Sequence, residues 1–182
     1  MLLVAGAAVN QPADGGFTPL FIACEDGHTE AASMLLAAGA AVNQSTDRGA
    51  TPIYIACFNG HTETASMLLA AGAAVNQPFN DGSTSLHVAC HYGHTETVSA
   101  LLAAGAAVNQ HNDDGLTPLY WACHRGHTDT ASLLLAAGAA VDQPADNGGA
   151  TPLYVACQNG RTETVSALLA AGAAVNLSLI HI

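Results

Sequence analysis

Lysine is absent from the 182-residue chain. Arg48, Arg125 and Arg161 are its three basic side chains against 14 acids, a formal charge of −11. Nucleic-acid binding draws most of its affinity from cations that neutralise phosphates. Adsorption to an anionic membrane surface needs the same groups. Neither nucleic acid nor membrane is therefore expected as a partner. Charged residues make up 9% of the chain and aromatics 5%, where a quarter charged is usual. No apolar run approaches the ~18 residues of a membrane-spanning helix. The opening Met1-Leu2-Leu3-Val4-Ala5 run lacks the basic start of a signal peptide, and its pattern recurs deep inside the chain. Also missing are a Gly-rich phosphate loop, a nucleophile elbow and a convincing acid–base pair, so no catalytic residue, no cofactor and no enzymatic activity are expected.

What the sequence has is alanine, glycine and repetition. There are 38 alanines and 18 glycines. Thr18-Pro19-Leu20 returns as Thr51-Pro52-Ile53, Thr84-Ser85-Leu86, Thr117-Pro118-Leu119 and Thr151-Pro152-Leu153, in steps of 33, 33, 33 and 34 residues. The added residue of the last step falls in Asp146-Asn147-Gly148-Gly149, a turn, where insertion costs little.

Each unit reads as two short helices and a finger. Threonine is a good N-cap, and proline suits the first helical position, where its missing N–H is not needed. The first helix runs through Ala23 and Cys24 and breaks at Gly27. The second starts near His28-Thr29-Glu30, with the acid at the positive end of the helix dipole. It ends at Gly39, a left-handed C-cap. Asp47-Arg48-Gly49 and Asn80-Asp81-Gly82 then predict hairpin-like turns. Neither helix buries its apolar face alone, so the units must stack into an all-α solenoid of helix-turn-helix repeats joined by β-hairpin-like loops. The expected boundaries are a partial repeat over 1–17, repeats over 18–50, 51–83, 84–116 and 117–150, a last truncated repeat over 151–176, and a non-repeat tail over 177–182.

Thr84-Ser85-Leu86-His87, the Gly-His pairs at 27–28, 60–61, 93–94 and 126–127, and Leu68-Leu69-Ala70-Ala71-Gly72-Ala73-Ala74-Val75-Asn76 resemble the ankyrin-repeat pattern. The resemblance spans residues 2–176. Its departures are mild. Phe21, Tyr54, Tyr120 and Tyr154 replace the motif histidine, Arg161 replaces the histidine of Gly-His, and alanine stands where an acid usually precedes Val-Asn (Ala41, Ala74, Ala107, Ala140, Ala174). The resemblance implies a concave face that binds protein. It also implies that Asn43 is open to hydroxylation, although the usual acid is missing at Ala41.

Both ends are expected to be cut. Met1-Leu2-Leu3 aligns with Met34-Leu35-Leu36, so the chain opens inside a second helix. Leu177-Ser178-Leu179-Ile180-His181-Ile182 is an apolar hexapeptide that reads as non-native. Solenoids normally carry polar capping repeats, so self-association through uncapped ends is expected.

Five cysteines occupy one repeat position: Cys24, Cys57, Cys90, Cys123 and Cys157. Stacked helices lie ~8–10 Å apart, beyond the ~7 Å Cα limit of a disulfide. They are expected to be unpaired, buried and in a reducing compartment, the cytoplasm or nucleus. Cys90-His91-Tyr92-Gly93-His94 and Cys123-His124-Arg125-Gly126-His127 carry zinc-ligand types. The helix break at each glycine argues against convergence on a metal, and the recurrence of His94 at His28 and His61 points to a hydrogen bond that braces the turn.

Comparing the repeats with one another separates fixed packing positions from variable ones. The variable sets follow each cysteine, occupy the fingers, or precede each Thr-Pro. From them Phe58, Phe79, His91, Tyr92, His111, His124 and Arg125 are the expected partner-binding residues, Phe, Tyr and Arg being enriched in interfaces. The charge of −11 favours a partner with a basic surface. Nine protonated histidines would bring it to −2, so association is expected to weaken below about pH 6. A passive scaffold or spacer segment of a larger protein is the alternative, and a zinc-binding array a remote third.

Overall fold

A computed structural model describes residues 8–146 and 148–175. The expectations for the opening half-helix and the tail over 177–182 fall outside the described residues. After a tight 3-10 turn, Asp14–Gly16, five helix pairs follow. They are α1 (Pro19–Glu25) with α2 (Thr29–Ala37), α3 (Pro52–Phe58) with α4 (Thr62–Ala70), α5 (Ser85–Tyr92) with α6 (Thr95–Ala103), α7 (Pro118–Arg125) with α8 (Thr128–Ala136), and α9 (Pro152–Gln158) with α10 (Thr162–Ala170). First helices stack on first helices and second on second, giving two layers that lengthen by one helix per repeat. No strand occurs among the described residues. Each finger is instead closed by a backbone bond across its turn, such as Thr46 N to Ala50 O at 2.9 Å and Phe79 N to Ser83 O at 2.8 Å.

The helix boundaries follow from local chemistry. Thr18, Thr51, Thr117 and Thr151 each accept the backbone N–H three residues on, at 3.1–3.2 Å, and a proline follows as the first helical residue. In the third pair Ser85 replaces that proline, and Thr84 and His87 form a capping box instead. Each second helix ends where a glycine such as Gly39 turns to φ 87°. There the N–H of Ala40 returns to Leu35 O at 2.9 Å, which closes the last turn. Gly39 recurs because of its backbone conformation and not because of packing, for nothing lies within 4 Å of where its Cβ would be.

The core is a single row of small and aliphatic side chains between the layers, among them Leu20, Ile53, Leu86, Leu119 and Leu153 from the first helices and Leu68, Leu101, Leu134 and Leu168 from the second. Cys24, Cys57, Cys90 and Cys123 are buried in it as free thiols, and Cys157 is free and exposed. Burial pushes the Cys24, Cys57 and Cys123 thiols up to about 12.

Three polar ladders join neighbouring repeats. In the first, the Asn43, Asn76 and Asn109 side chains accept the N–H of Ala74, Ala107 and Ala140 at 2.8 Å. Their amides donate to Gly72, Gly105 and Gly138 carbonyls at 3.1–3.4 Å. In the second, threonine hydroxyls at the starts of second helices pair across repeats: Thr29–Thr64, Thr62–Thr97, Thr95–Thr130 and Thr128–Thr164, at 2.6–2.8 Å. In the third, His61, His94 and His127 place Nε2 at 3.0–3.2 Å from the carbonyls of Glu25, Phe58 and His91. These histidines brace the preceding repeat and not their own turn. The expected turn-bracing bond is thus made to the turn of the preceding repeat, and the ring packs tightly on it. Each ring lies over the glycine that ends the earlier first helix, so closely that a Cβ on Gly93 would stand 2.5 Å from His127 Nδ1.

Candidate functional site

The first helices and the fingers form one face of the array, and all nine aromatic rings belong to it. The second helices contribute none; their outward positions are Ser33, Ser66, Ser99 and Ser132, all exposed. The rings form chains that cross repeat boundaries. Phe58 and Tyr92 meet edge to face at 4.7 Å. Tyr92 meets His91 at 4.7 Å, and His91 meets Trp121 at 4.7 Å. Trp121 and Tyr120 both contact His124, at 5.9 and 6.3 Å. Toward the N-terminus Tyr54 stacks on Phe79 at 5.0 Å and 14°. Two hollows open on this face. One of about 570 Å³ is lined by Phe17, Phe21, Ala50, Ile55 and Phe79 among others. The other, of about 200 Å³, lies between α3, α5 and α7 and includes Tyr54, Phe58, His91, Tyr92 and Trp121.

The electrostatics of this face are set by few groups. Arg125 Nη2 donates to His91 Nε2 at 2.6 Å. Burial first, and the Arg125 charge second, hold His91 below the usual histidine range, so its ring is a neutral acceptor. His124 is lowered for the same two reasons, with Arg161 adding to them. His87 forms the floor. Its Nδ1 accepts the Thr84 N–H at 3.0 Å, which leaves Nε2–H to donate to Leu116 O at 3.1 Å. Burial brings its pKa down to about 4. Full protonation of nine histidines near pH 6 is therefore not reached.

The repeated helix pair, its glycine caps and the side chains that join one unit to the next recur along the described chain. A family model for ankyrin repeats in groups of three copies matches residues 1–79, 34–112 and 86–178. The chain belongs to the ankyrin-repeat family. Ankyrin repeats are generally protein–protein interaction modules, and the family is typically non-catalytic. No curated protein matches the chain significantly.

Within this ankyrin array Phe58, His91, Tyr92, His124 and Arg125 come together on α3, α5 and α7. Phe79 joins their neighbourhood through its stack on Tyr54. His111 stands apart: it is exposed on its finger, with Nδ1 3.2 Å from the Asn112 carbonyl. Tyr54, Tyr120, Trp121 and Asp81 belong to the same face and are not among the residues singled out from sequence. The signal that finds the three rings is positional, since every aromatic lies in a first helix or a finger; Asp81 carries no such signal. Repeat-to-repeat variation misleads at the fingers. Thr46, Asn112 and Ala145 are buried, and so are Ala50, Ser83 and Leu116 before Thr-Pro. The closing bond of each finger tucks one or both of these side chains inward, so the buried ones vary as alternative fillers.

The two Cys-His-x-x-His segments do not gather their side chains. Cys90 and Cys123 point into the core, His91 faces Arg125, and His94 faces the Phe58 carbonyl. Among the described residues no three of His, Cys, Asp and Glu are grouped to hold a metal ion, and no helix is long and apolar enough to cross a membrane.

Proposed function

We propose that the array is a recognition module that seats a segment of another protein on its concave face, against the first helices and fingers. The observation that carries this reading is the segregation of aromatic rings. A fold stabilised by stacking has no need to place every ring on one face, and Tyr92 and Phe58 stay 44% and 37% exposed there. Exposed rings beside a neutral His–Arg pair supply area, shape and directional polar groups, which is how interface anchors work. The excess of acids steers a partner with a basic surface and makes association salt-sensitive.

The test uses peptides selected from a display library on the intact chain. Phe58→Ala, Phe79→Ala, Tyr92→Ala and Arg125→Ala combined should weaken their binding at least tenfold. Ser66→Arg with Ser99→Arg, on the opposite face, should leave it unchanged. If the four alanines change nothing, the concave-face reading fails and a scaffold or spacer segment is the better account.

A further inference from the structure

Resting on that reading, we propose that the hollow between α3, α5 and α7 receives one cationic side chain of the partner, a lysine ammonium, held by aromatic faces and the Asp81 carboxylate.

Size comes first. At about 200 Å³ the hollow is smaller than the ~300–1,000 Å³ of small-molecule and cofactor sites. It has room for a single side chain. Its walls are Tyr54, Phe58, Tyr92 and Trp121, from three successive first helices. The electron-rich faces of such rings attract a cation, most strongly when water is excluded.

Charge comes second. Asp81 is the acid of the lining. Its Oδ1 accepts the Ser83 N–H at 2.9 Å, which fixes the carboxylate at the mouth. Tyr54 and Asp81 line the same hollow, and the Tyr54 hydroxyl is pushed up to about 12 by burial first and by the Asp81 charge next. The floor offers no opposing charge, because His87 stays neutral until about pH 4. The array's own cations do not fill the seat. It has no lysine, and Arg125 is engaged by His91 Nε2 at 2.6 Å and is not in the lining.

The probe is the blocked pentapeptide Ala-Ala-Lys-Ala-Ala, with a twin carrying norleucine, which has the same chain length without the ammonium. Trp121 is the single tryptophan and lines the hollow, so its fluorescence reads occupancy in the full chain. The lysine peptide should bind at least tenfold more tightly than the norleucine peptide. Asp81→Asn keeps an oxygen for the Ser83 N–H and removes the charge; it should bring the lysine peptide to the norleucine level and leave the norleucine peptide unmoved. Circular dichroism of the variant verifies its fold, and added salt should reduce lysine binding in the native chain alone. Equal or tighter binding of norleucine would overturn the proposal in favour of an apolar occupant. So would the absence of any fluorescence change up to about 10 mM peptide. In either case the display-selected peptides and the four-alanine variant still decide the concave-face reading separately.

Discussion

The asparagine ladder offers a sharp test of how repeats are joined, because the chain contains its own exception. Asn76 accepts Ala107 N–H at 2.8 Å and donates to Gly105 O at 3.3 Å. At the next-to-last repeat the equivalent is Asp142, which accepts Ala174 N–H at 3.0 Å and has no hydrogen to give. Asn76→Asp therefore keeps one bond and loses the other. A single bond is worth about 0.5–1.5 kcal/mol, and an exposed one lies at the low end. The new carboxylate also faces carbonyls at the C-terminal end of α6, where a negative charge costs about 0.3–1 kcal/mol. The sum is a loss of about 1–2 kcal/mol, or roughly 2–8 °C in Tm for a chain of this length. Asp142→Asn should act in the opposite direction, gaining about 0.5–1.5 kcal/mol. Urea unfolding followed by far-UV circular dichroism measures both. If the two substitutions move the midpoint the same way, the ladder is not what couples the repeats.

Two further substitutions probe the joints between repeats. His87 is driven down to about 4 by burial, against about 6.5 in an unfolded chain. Between these values the unfolded chain takes up a proton that the folded chain refuses, so the stability from keeping His87 neutral is present above pH 6.5 and is lost as pH falls toward 4, up to about 3 kcal/mol. His87→Tyr, the residue used at Tyr54 and Tyr120, should flatten the fall in urea midpoint between pH 7 and 4.5 relative to the native chain; parallel falls would refute the assignment. Gly93 and Gly105 both have positive φ, 73° and 85°, but only Gly93 lies beneath a ring. Gly105→Ala should cost about 1–2 kcal/mol for the left-handed backbone alone. Gly93→Ala should cost at least about 1 kcal/mol more, because His127 must give up its bond to the preceding repeat; equal losses in thermal unfolding would show that the brace contributes nothing.

The elements legible in the sequence are those that depend on neighbouring residues. Thr-Pro fixes the start of α1, α3, α7 and α9 because cap and first turn lie within three residues. Gly39 and its equivalents fix the ends of the second helices because a left-handed residue is needed there. The repeat then multiplies each signal. What remains hidden depends on residues about one repeat apart. Asn76 is plainly recurrent in the sequence, yet its partners at Gly105 and Ala107 lie 29 and 31 residues away. The direction of the His94 brace is hidden for the same reason. Its partner is Phe58 O, 36 residues earlier, and the local sequence offers a nearer turn. Variation between repeats also has two physical causes that look alike in sequence. Phe58 and Arg125 vary at exposed positions, whereas Ser83 and Leu116 vary because they fill buried space between fingers.

The three ladders explain how such an array can change its binding face without losing its fold. Asn–backbone pairs hold the base of each finger, Thr–Thr pairs hold the starts of the second helices, and His–carbonyl bonds hold the ends of the first helices. None of them uses a side chain that points from a first helix toward the fingers. The exceptions within the ladders are absorbed locally. Arg161 replaces the histidine and still reaches His124 O through Nε at 3.3 Å. Asp142 replaces asparagine and keeps its acceptor bond. His87, which stands where other repeats have Tyr or Phe, is instead tied at both nitrogens, to Thr84 and to Leu116 of the next finger. Stacking is therefore specified several times over at each joint. The side chains of Phe58, Tyr92, Trp121 and Arg125 belong to none of the three ladders, although they also meet across repeat boundaries, so their identity can be set by what they meet.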